Sequence, residues 1–87
     1  TVGGAVEATK FALKEGIAGN LAGGTHHAHS DRGEGYCVFN DIAVATRFLK
    51  KHRLAERIAI IDLDVHQGNG NSSILGDDQD VYILSVH

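Results

Sequence analysis

The chain has 87 residues, no methionine and no proline, which favours part of a larger domain over a complete small one. Its formal net charge of −3 at pH 7 argues against a general nucleic-acid binder. The single cysteine, Cys37, excludes an internal disulfide, fits a cytoplasmic setting and is expected to be a small buried hydrophobe. No apolar run approaches the roughly 18 residues of a membrane helix, so no membrane partner is expected.

The first half of the chain predicts a helix, a strand and a loop. Apolar residues recur at helical spacing over residues 3–15, and Gly16 supplies a C′ stop. Residues 17–22 form a short apolar segment that predicts a strand running into two glycines. A polar, glycine-punctuated loop is expected over residues 25–35.

The second half predicts a helix and two further strands. Asn40 is typical of an N-cap, with Asp41 in the first turn of a helix that reaches about His52. Its buried stripe is expected to consist of Ile42, Ala45, Thr46 and Leu49. The remaining predictions are a strand over residues 58–64, a tight loop over 67–70, a short helix over 71–75 and a strand over 81–86.

Alternating helical and strand patterns indicate an α/β fold, with a parallel sheet and helices on both faces. In such sheets ligands bind outside the carboxyl ends of the strands. The polar clusters at residues 23–29 and 62–69 both lie at the carboxyl ends of predicted strands. We therefore expect the two clusters to meet on one rim of the sheet.

The second cluster begins with two carboxylates close together at the end of an apolar strand. In a continuing strand Asp62, Asp64 and His66 share a face, and buried carboxylates cost several kcal/mol unless they are paired or metal-bound. Asp64 and His66 can ligate one divalent ion such as zinc, while Asp62 can orient a histidine or help hold a second cation. The simplest alternative is a polar strand end that meets solvent.

A second alternative is a phosphoryl-transfer site of the haloacid dehalogenase kind. Such sites begin with Asp-x-Asp after an apolar strand, and Ser85 resembles a later motif of that family. His66 is out of place in that pattern, and the upstream histidines are left unexplained.

The first cluster is Gly23-Gly24-Thr25-His26-His27-Ala28-His29, in which three histidines follow two glycines. In a flexible loop the rings of His26 and His27 can face one pocket. The alternative is a surface histidine loop, or adventitious metal binding by His27 and His29. Downstream, Gly68-Asn69-Gly70 is a weak match to a dinucleotide fingerprint and better fits a turn that leaves Asn69 free to bond an imidazole.

Taken together, these residues resemble the histone deacetylase superfamily of zinc-dependent amidohydrolases, most closely its bacterial and class IV-like members. The matching stretches occur in family order and span nearly the whole chain, at residues 22–28, 33–41, 61–70 and 84–87. The resemblance implies that residues 1–87 form a single partial domain of the arginase–deacetylase fold. It implies hydrolysis of an acyl amide, with acetyl-lysine proteins and acetylated small molecules both open as substrates.

The resemblance also implies roles for individual residues. His26 and His27 would be the paired active-site histidines, with His27 as general base and acid, Asp62 orienting His26 and Asn69 orienting His27. Zinc, Fe²⁺ or another divalent metal would be held by Asp64 and His66. A structural K⁺ would use Asp62, the Ser85 hydroxyl and the carbonyls of Asp64, His66 and Val86. Gly35 and Tyr36 would line the substrate tunnel.

The family pattern needs a third zinc ligand, an aspartate, and an oxyanion-stabilising tyrosine, which normally lie well downstream of the matched stretches. Two hypotheses follow. The chain is part of an active zinc deacylase, or it is a catalytically incompetent cation-binding module that assembles with other chains. A homo-oligomer is compatible with both.

Overall fold

The computed structural model describes residues 1–87 and contains three helices and one pair of strands. Their order is α1 (Val2–Glu15), α2 (Asp41–Lys51), β1 (Ile58–Asp62), α3 (Asn69–Leu75) and β2 (Val81–Ser85). None of the helices is long and apolar enough to cross a membrane. The α/β class expected from the sequence is confirmed.

Local capping signals explain where the first two helices begin and end. Gly16 ends α1 in the left-handed conformation, with φ 93°, and donates its N–H to Ala12 O. The Asn40 side chain accepts the N–H of Ala43 at the start of α2. Lys50 and Lys51 occupy the last turn of α2, where positive charge complements the helix dipole. Both helices confirm the sequence-based predictions.

The strands β1 and β2 pair in parallel, with a register that runs from Ile58 opposite Val81 to Asp62 opposite Ser85. Both strands therefore end at the same edge. This edge carries the side chains of the candidate site, as the sequence analysis expected of a parallel sheet.

The core lies on one face of this sheet. Ala43 of α2, Ile60 of β1, Leu75 of α3 and Val81 of β2 form its buried cluster. Within the stripe predicted for α2, only Thr46 is buried, while Ile42, Ala45 and Leu49 are partly exposed. The second face carries Ile61, Tyr82 and Leu84, which are exposed, so the helix layer expected on that face is not formed by these residues.

The strand predicted over residues 17–22 is wrong. This segment is irregular, and its apolar side chains Ile17 and Leu21 are exposed. It pairs with neither strand of the sheet, and the Asn20 side chain donates to Ala22 O within the segment itself. A short apolar run forms a strand only where a partner satisfies its backbone groups.

Small boundary differences matter at the rim. β1 ends at Asp62 instead of residue 64, because Asp64 N–H donates to Asp62 Oδ1 and His66 N–H donates to Asp64 Oδ1. These bonds turn the chain away from the strand direction. The strict alternation assumed for the triplet therefore does not hold beyond Asp62. α3 starts at Asn69, two residues earlier than predicted, and β2 ends at Ser85 instead of 86.

Candidate active site

Three segments meet at the carboxyl ends of the strands. The loop with His26 and His27 lies against the end of β1 and the start of α3. His26 is buried, at 6% exposure, and the side chain of His29 is 8% exposed. A surface histidine loop is therefore the wrong interpretation of this segment.

The N-terminal end of the histidine loop is held by Asp41, the first residue of α2. Its carboxylate accepts the N–H groups of Gly24 and Thr25, each at 2.9 Å, and the Thr25 hydroxyl at 2.8 Å. Burial acts to raise the pKa of Asp41, but these hydrogen bonds outweigh it and hold the pKa below its ordinary value. Gly23, with φ 128°, leaves room for the carboxylate, which a Cβ there would strike.

The C-terminal side of the loop is held by the N-cap residue of α2 and by the first turn of α3. Asn40 Nδ2 donates to Ala28 O at 3.2 Å and to Asn71 Oδ1 at 2.9 Å, all in a buried environment. Gly70 N–H donates to His26 O at 2.8 Å. These hydrogen bonds therefore hold the loop backbone independently of any contact made by a histidine side chain.

The paired histidines have different partners. His26 Nδ1 contacts Asp62 Oδ2, and both side chains are only 8% exposed. His27 Nδ1 lies 2.7 Å from Asn69 Oδ1. The two rings are neighbours, with centroids 4.2 Å apart. These contacts provide a carboxylate partner for one imidazole and a neutral amide partner for the other.

Asp64 and His66 lie at the open side of the rim. His66 Nδ1 is 3.0 Å from Asp64 Oδ1, and the side chains are 72% and 51% exposed. Hydrogen bonds from the His66 backbone and ring lower the pKa of Asp64, so its carboxylate is ionised and ready to bind a cation. The donor separation is close to the ~3.3 Å edge of a tetrahedron built on ~2.0 Å zinc–ligand bonds.

The fit to zinc is partial. No group of three or more His, Cys, Asp and Glu side chains in this chain is arranged to hold a metal ion. His26 Nε2 approaches Asp64 Oδ1 only to 3.9 Å. Asp64 and His66 thus fit two of the three protein ligands that a catalytic zinc site ordinarily uses.

The residues predicted to hold potassium are adjacent because of the strand register. Asp62 and Ser85 are partners at the end of the ladder, and Val86 N–H donates to Asp62 O at 2.9 Å. Ser85 Oγ accepts the N–H of Gly68 at 3.2 Å. Strand pairing therefore brings part of the predicted oxygen set together.

Gly35 and Tyr36 form a turn in which both residues have positive φ, 55° and 63°. A Cβ on Gly35 would lie 2.6 Å from His27 Cδ2, so glycine allows the turn to pass close to the imidazole. Tyr36 is fully exposed beside this turn and holds a conformation that is uncommon for a bulky residue. Cys37, which follows, is buried and free as expected.

Sequence reasoning missed several residues that build the site. It assigned Asn40 and Asp41 to capping and the first turn of α2, without their bonds to the histidine loop. It assigned no role to Asn71 or Glu34, although Glu34 Oε1 accepts from Asn69 Nδ2 at 3.0 Å. Only the run of polar residues at positions 40–41 gave a signal, and it did not indicate the partners.

The whole chain matches one known protein family. The histone deacetylase domain family matches residues 1–87. Histone deacetylase 2 of Arabidopsis thaliana is 46% identical over 86 residues, which are 99% of this chain and 22% of that protein. A probable deacetylase of Methanothermobacter thermautotrophicus is 41% identical over 88 residues, covering 100% of this chain and 27% of that protein.

The solved structures agree with the sequence comparison. The crystal structure of a histone deacetylase homologue from Aquifex aeolicus superimposes with a TM-score of 0.92 and 40% sequence identity, covering 99% of this chain and 23% of that one. A structure of a homologue complexed with SAHA gives the same values. The chain thus spans about a quarter of the relatives it matches.

Proposed function

The chain belongs to the histone deacetylase family, and from this premise we propose that it forms the histidine side of a zinc-dependent active site that hydrolyses acetyl-lysine or another acyl amide. The observation that carries the proposal is the pair of neighbouring imidazoles with unlike partners. His26 faces the Asp62 carboxylate, and His27 faces the Asn69 amide, next to the donors Asp64 and His66. The phosphatase alternative is set aside, because the family match covers the whole chain.

The two histidines are suited to different tasks. A carboxylate partner orients an imidazole and places a negative charge beside it, so Asp62 would fix the His26 ring next to the reacting group. The amide of Asn69 orients the His27 ring without adding charge, and this leaves His27 free to accept a proton and return it to the leaving amine. The close ring contact, 4.2 Å between centroids, supports the proposal that both groups act at one reacting centre.

Asp64 and His66 would hold the metal together with a ligand outside the matched residues. Zinc, with Fe²⁺ or another divalent ion as the alternative, supplies Lewis-acid polarisation of the acyl carbonyl when it is bound. The ionised Asp64 carboxylate contributes the negative charge that favours a divalent cation. The proposed K⁺ would be coordinated by Asp62, the Ser85 hydroxyl and the carbonyls of Asp64, His66 and Val86.

The proposed substrate side is the turn at Gly35 and Tyr36. Because Gly35 passes against His27 and Tyr36 is fully exposed, an acyl chain that reaches the imidazoles would run along the Tyr36 ring. The substrate class remains an acetylated protein or an acetylated small molecule. A homo-oligomer is compatible with the exposed sheet face formed by Ile61, Tyr82 and Leu84.

One observation favours a second candidate. The chain offers two zinc donors and no third, so these residues by themselves form a weak cation-binding module that would require residues from elsewhere to become catalytic. In this second candidate the module assembles with other chains. The two candidates differ in whether the His27 side chain participates in turnover.

The test uses an acetyl-lysine reporter with zinc, applied to this chain and to the protein in which it occurs. Turnover should be lost with a chelator, and His27→Ala should lower it about 10²–10⁴-fold, the usual contribution of general acid–base catalysis. His52→Ala is the matched control, because His52 caps the end of α2 away from the rim. Turnover that survives both the chelator and His27→Ala would refute the proposal, and zinc binding without turnover in either protein would favour the second candidate.

A further inference from the structure

The Asn69 amide lies between two groups that come from distant parts of the sequence. Its Oδ1 is 2.7 Å from His27 Nδ1, and its Nδ2 donates to Glu34 Oε1 at 3.0 Å. The partners are separated from Asn69 by 42 and 35 residues, so tertiary structure brings them together. Glu34 is therefore linked to His27 through the side chain of Asn69.

An asparagine amide has two chemically different ends. Its oxygen only accepts hydrogen bonds and its nitrogen only donates them, whereas a neutral imidazole carries its proton on either nitrogen. An ionised carboxylate only accepts. With Glu34 at one end of the amide, Nδ2 must face the carboxylate, and Oδ1 must then face His27 Nδ1. That nitrogen must donate, which leaves His27 Nε2 without a proton.

We infer that Glu34 is a positioning residue, whose carboxylate holds the Asn69 amide in one orientation and thereby selects the Nδ1–H tautomer of His27. The inference rests on the proposed function in one respect, namely that His27 Nε2 is the atom that takes the proton. Without Glu34 the amide can turn over and donate to His27 Nδ1. The imidazole then carries its proton on Nε2 and cannot act as a base there.

Glu34 is itself held in place. Its backbone forms a bridge with Cys37, with Glu34 N–H donating to Cys37 O at 3.0 Å and Cys37 N–H donating to Glu34 O at 2.8 Å. The second carboxylate oxygen, Oε2, lies 3.1 Å from His29 Nε2 and 3.8 Å from Arg32. These two contacts are made by Oε2, so Oε1 is left to accept the hydrogen bond from Asn69 Nδ2.

The carboxylate is ionised at neutral pH. The hydrogen bond from Asn69 is the largest influence on the pKa of Glu34 and lowers it; burial opposes this effect, and the charges of His29 and Arg32 lower the pKa further. The Glu34 carboxylate therefore only accepts hydrogen bonds at neutral pH and above, as the inference requires.

The experiment reads the tautomer directly. The full chain is labelled with ¹⁵N-histidine, and its imidazole nitrogens are observed by long-range ¹H–¹⁵N NMR at about pH 8, above the ordinary titration range of histidine. The spectrum of a His27→Ala variant identifies the His27 signals. The expected result is a protonated Nδ1 and an unprotonated Nε2 on His27.

Glu34→Ala should move the two His27 ¹⁵N resonances toward each other, as both tautomers become populated. Adding Asn69→Asp to that variant should restore the original pattern, because a carboxylate accepts from Nδ1–H in either orientation. Arg32→Ala is the matched control, since it removes a charge next to Glu34 and leaves the Asn69 contact in place. Far-ultraviolet circular dichroism checks that each variant is folded.

Two results would overturn the inference: an Nε2–H tautomer of His27 in the unmodified chain, or a folded Glu34→Ala variant whose His27 signals do not move. The first needs no variant, so a Glu34→Ala protein that fails to fold still leaves a decisive measurement. The readout requires neither zinc nor turnover. If His27 has the inferred tautomer but the protein shows no deacylase activity, the proposed function fails and the inference about Glu34 stands.

Discussion

The contact between α3 and the histidine loop can be tested with a single methyl group. Gly70 is the second residue of α3, and its N–H donates to His26 O at 2.8 Å. A Cβ at this position would collide with Ala28 O and would lie 2.5 Å from His26 O and 2.8 Å from the carbonyl carbon of His27. All three atoms belong to the backbone that carries the imidazoles, so none can move aside as a flexible side chain would.

The expected cost of Gly70→Ala follows from these contacts. Overpacking a tight site typically costs about 1–3 kcal/mol, and weakening the Gly70–His26 hydrogen bond adds about 0.5–1.5 kcal/mol. The higher helix propensity of alanine returns about 0.5–1 kcal/mol. We therefore expect a net loss of about 0.5–4 kcal/mol in the free energy of unfolding.

Gly3→Ala is the matched control. Gly3 is the second residue of α1, and a Cβ there meets nothing within 4 Å. Gly3→Ala should gain only the higher helix propensity of alanine and stabilise the chain by about 0.5–1 kcal/mol. Because both glycines occupy the same helix position, the difference between the two variants isolates the collision with the histidine loop.

The assay is urea unfolding followed by circular dichroism, with the midpoint compared at constant m-value. Gly70→Ala should lower the midpoint and shift the ¹⁵N resonances of His26 and His27, whereas Gly3→Ala should raise the midpoint and leave those resonances unchanged. If Gly70→Ala proves as stable as Gly3→Ala, α3 does not approach the loop as described and the account of how the site is held is refuted.

Three further predictions address charge. Asp41→Asn should lower the stability by about 1–3 kcal/mol at neutral pH, and this loss should disappear in acid. The folded-state pKa of Asp41 is lowered, so its carboxylate stabilises the fold above the unfolded pKa of about 3.9 and ceases to do so as the pH falls through the folded value. Equal losses at pH 7 and in strong acid would contradict this. Asp64→Asn and His66→Ala should each weaken zinc binding measured by calorimetry, and unchanged affinity in both would exclude them as ligands. Lys50→Met should lower the urea midpoint only slightly, and by less at high salt, because its 2.7 Å contact with the largely exposed Asp80 is a surface ion pair. A large loss that is independent of salt would show that the pair is not screened.

The sequence by itself determined the elements whose signals are local. The left-handed stop at Gly16 and the side-chain cap at Asn40 depend on residues within one helical turn, and both are where the sequence predicts them. The β-branched run at residues 58–62 specifies β1 in the same way. The motif order was sufficient to indicate the family, because it depends only on residue types and spacing.

Only the tertiary structure decided how those elements are connected into a site. Asp41 reaches Thr25 across 16 residues, and Asn69 reaches His27 across 42, so no local pattern encodes either contact. The same reason explains the failed strand at residues 17–22, since an apolar run becomes a strand only when a partner accepts its hydrogen bonds. The sequence predicted which side chains would form the candidate site, and packing of distant segments decided the orientation in which His27 is held.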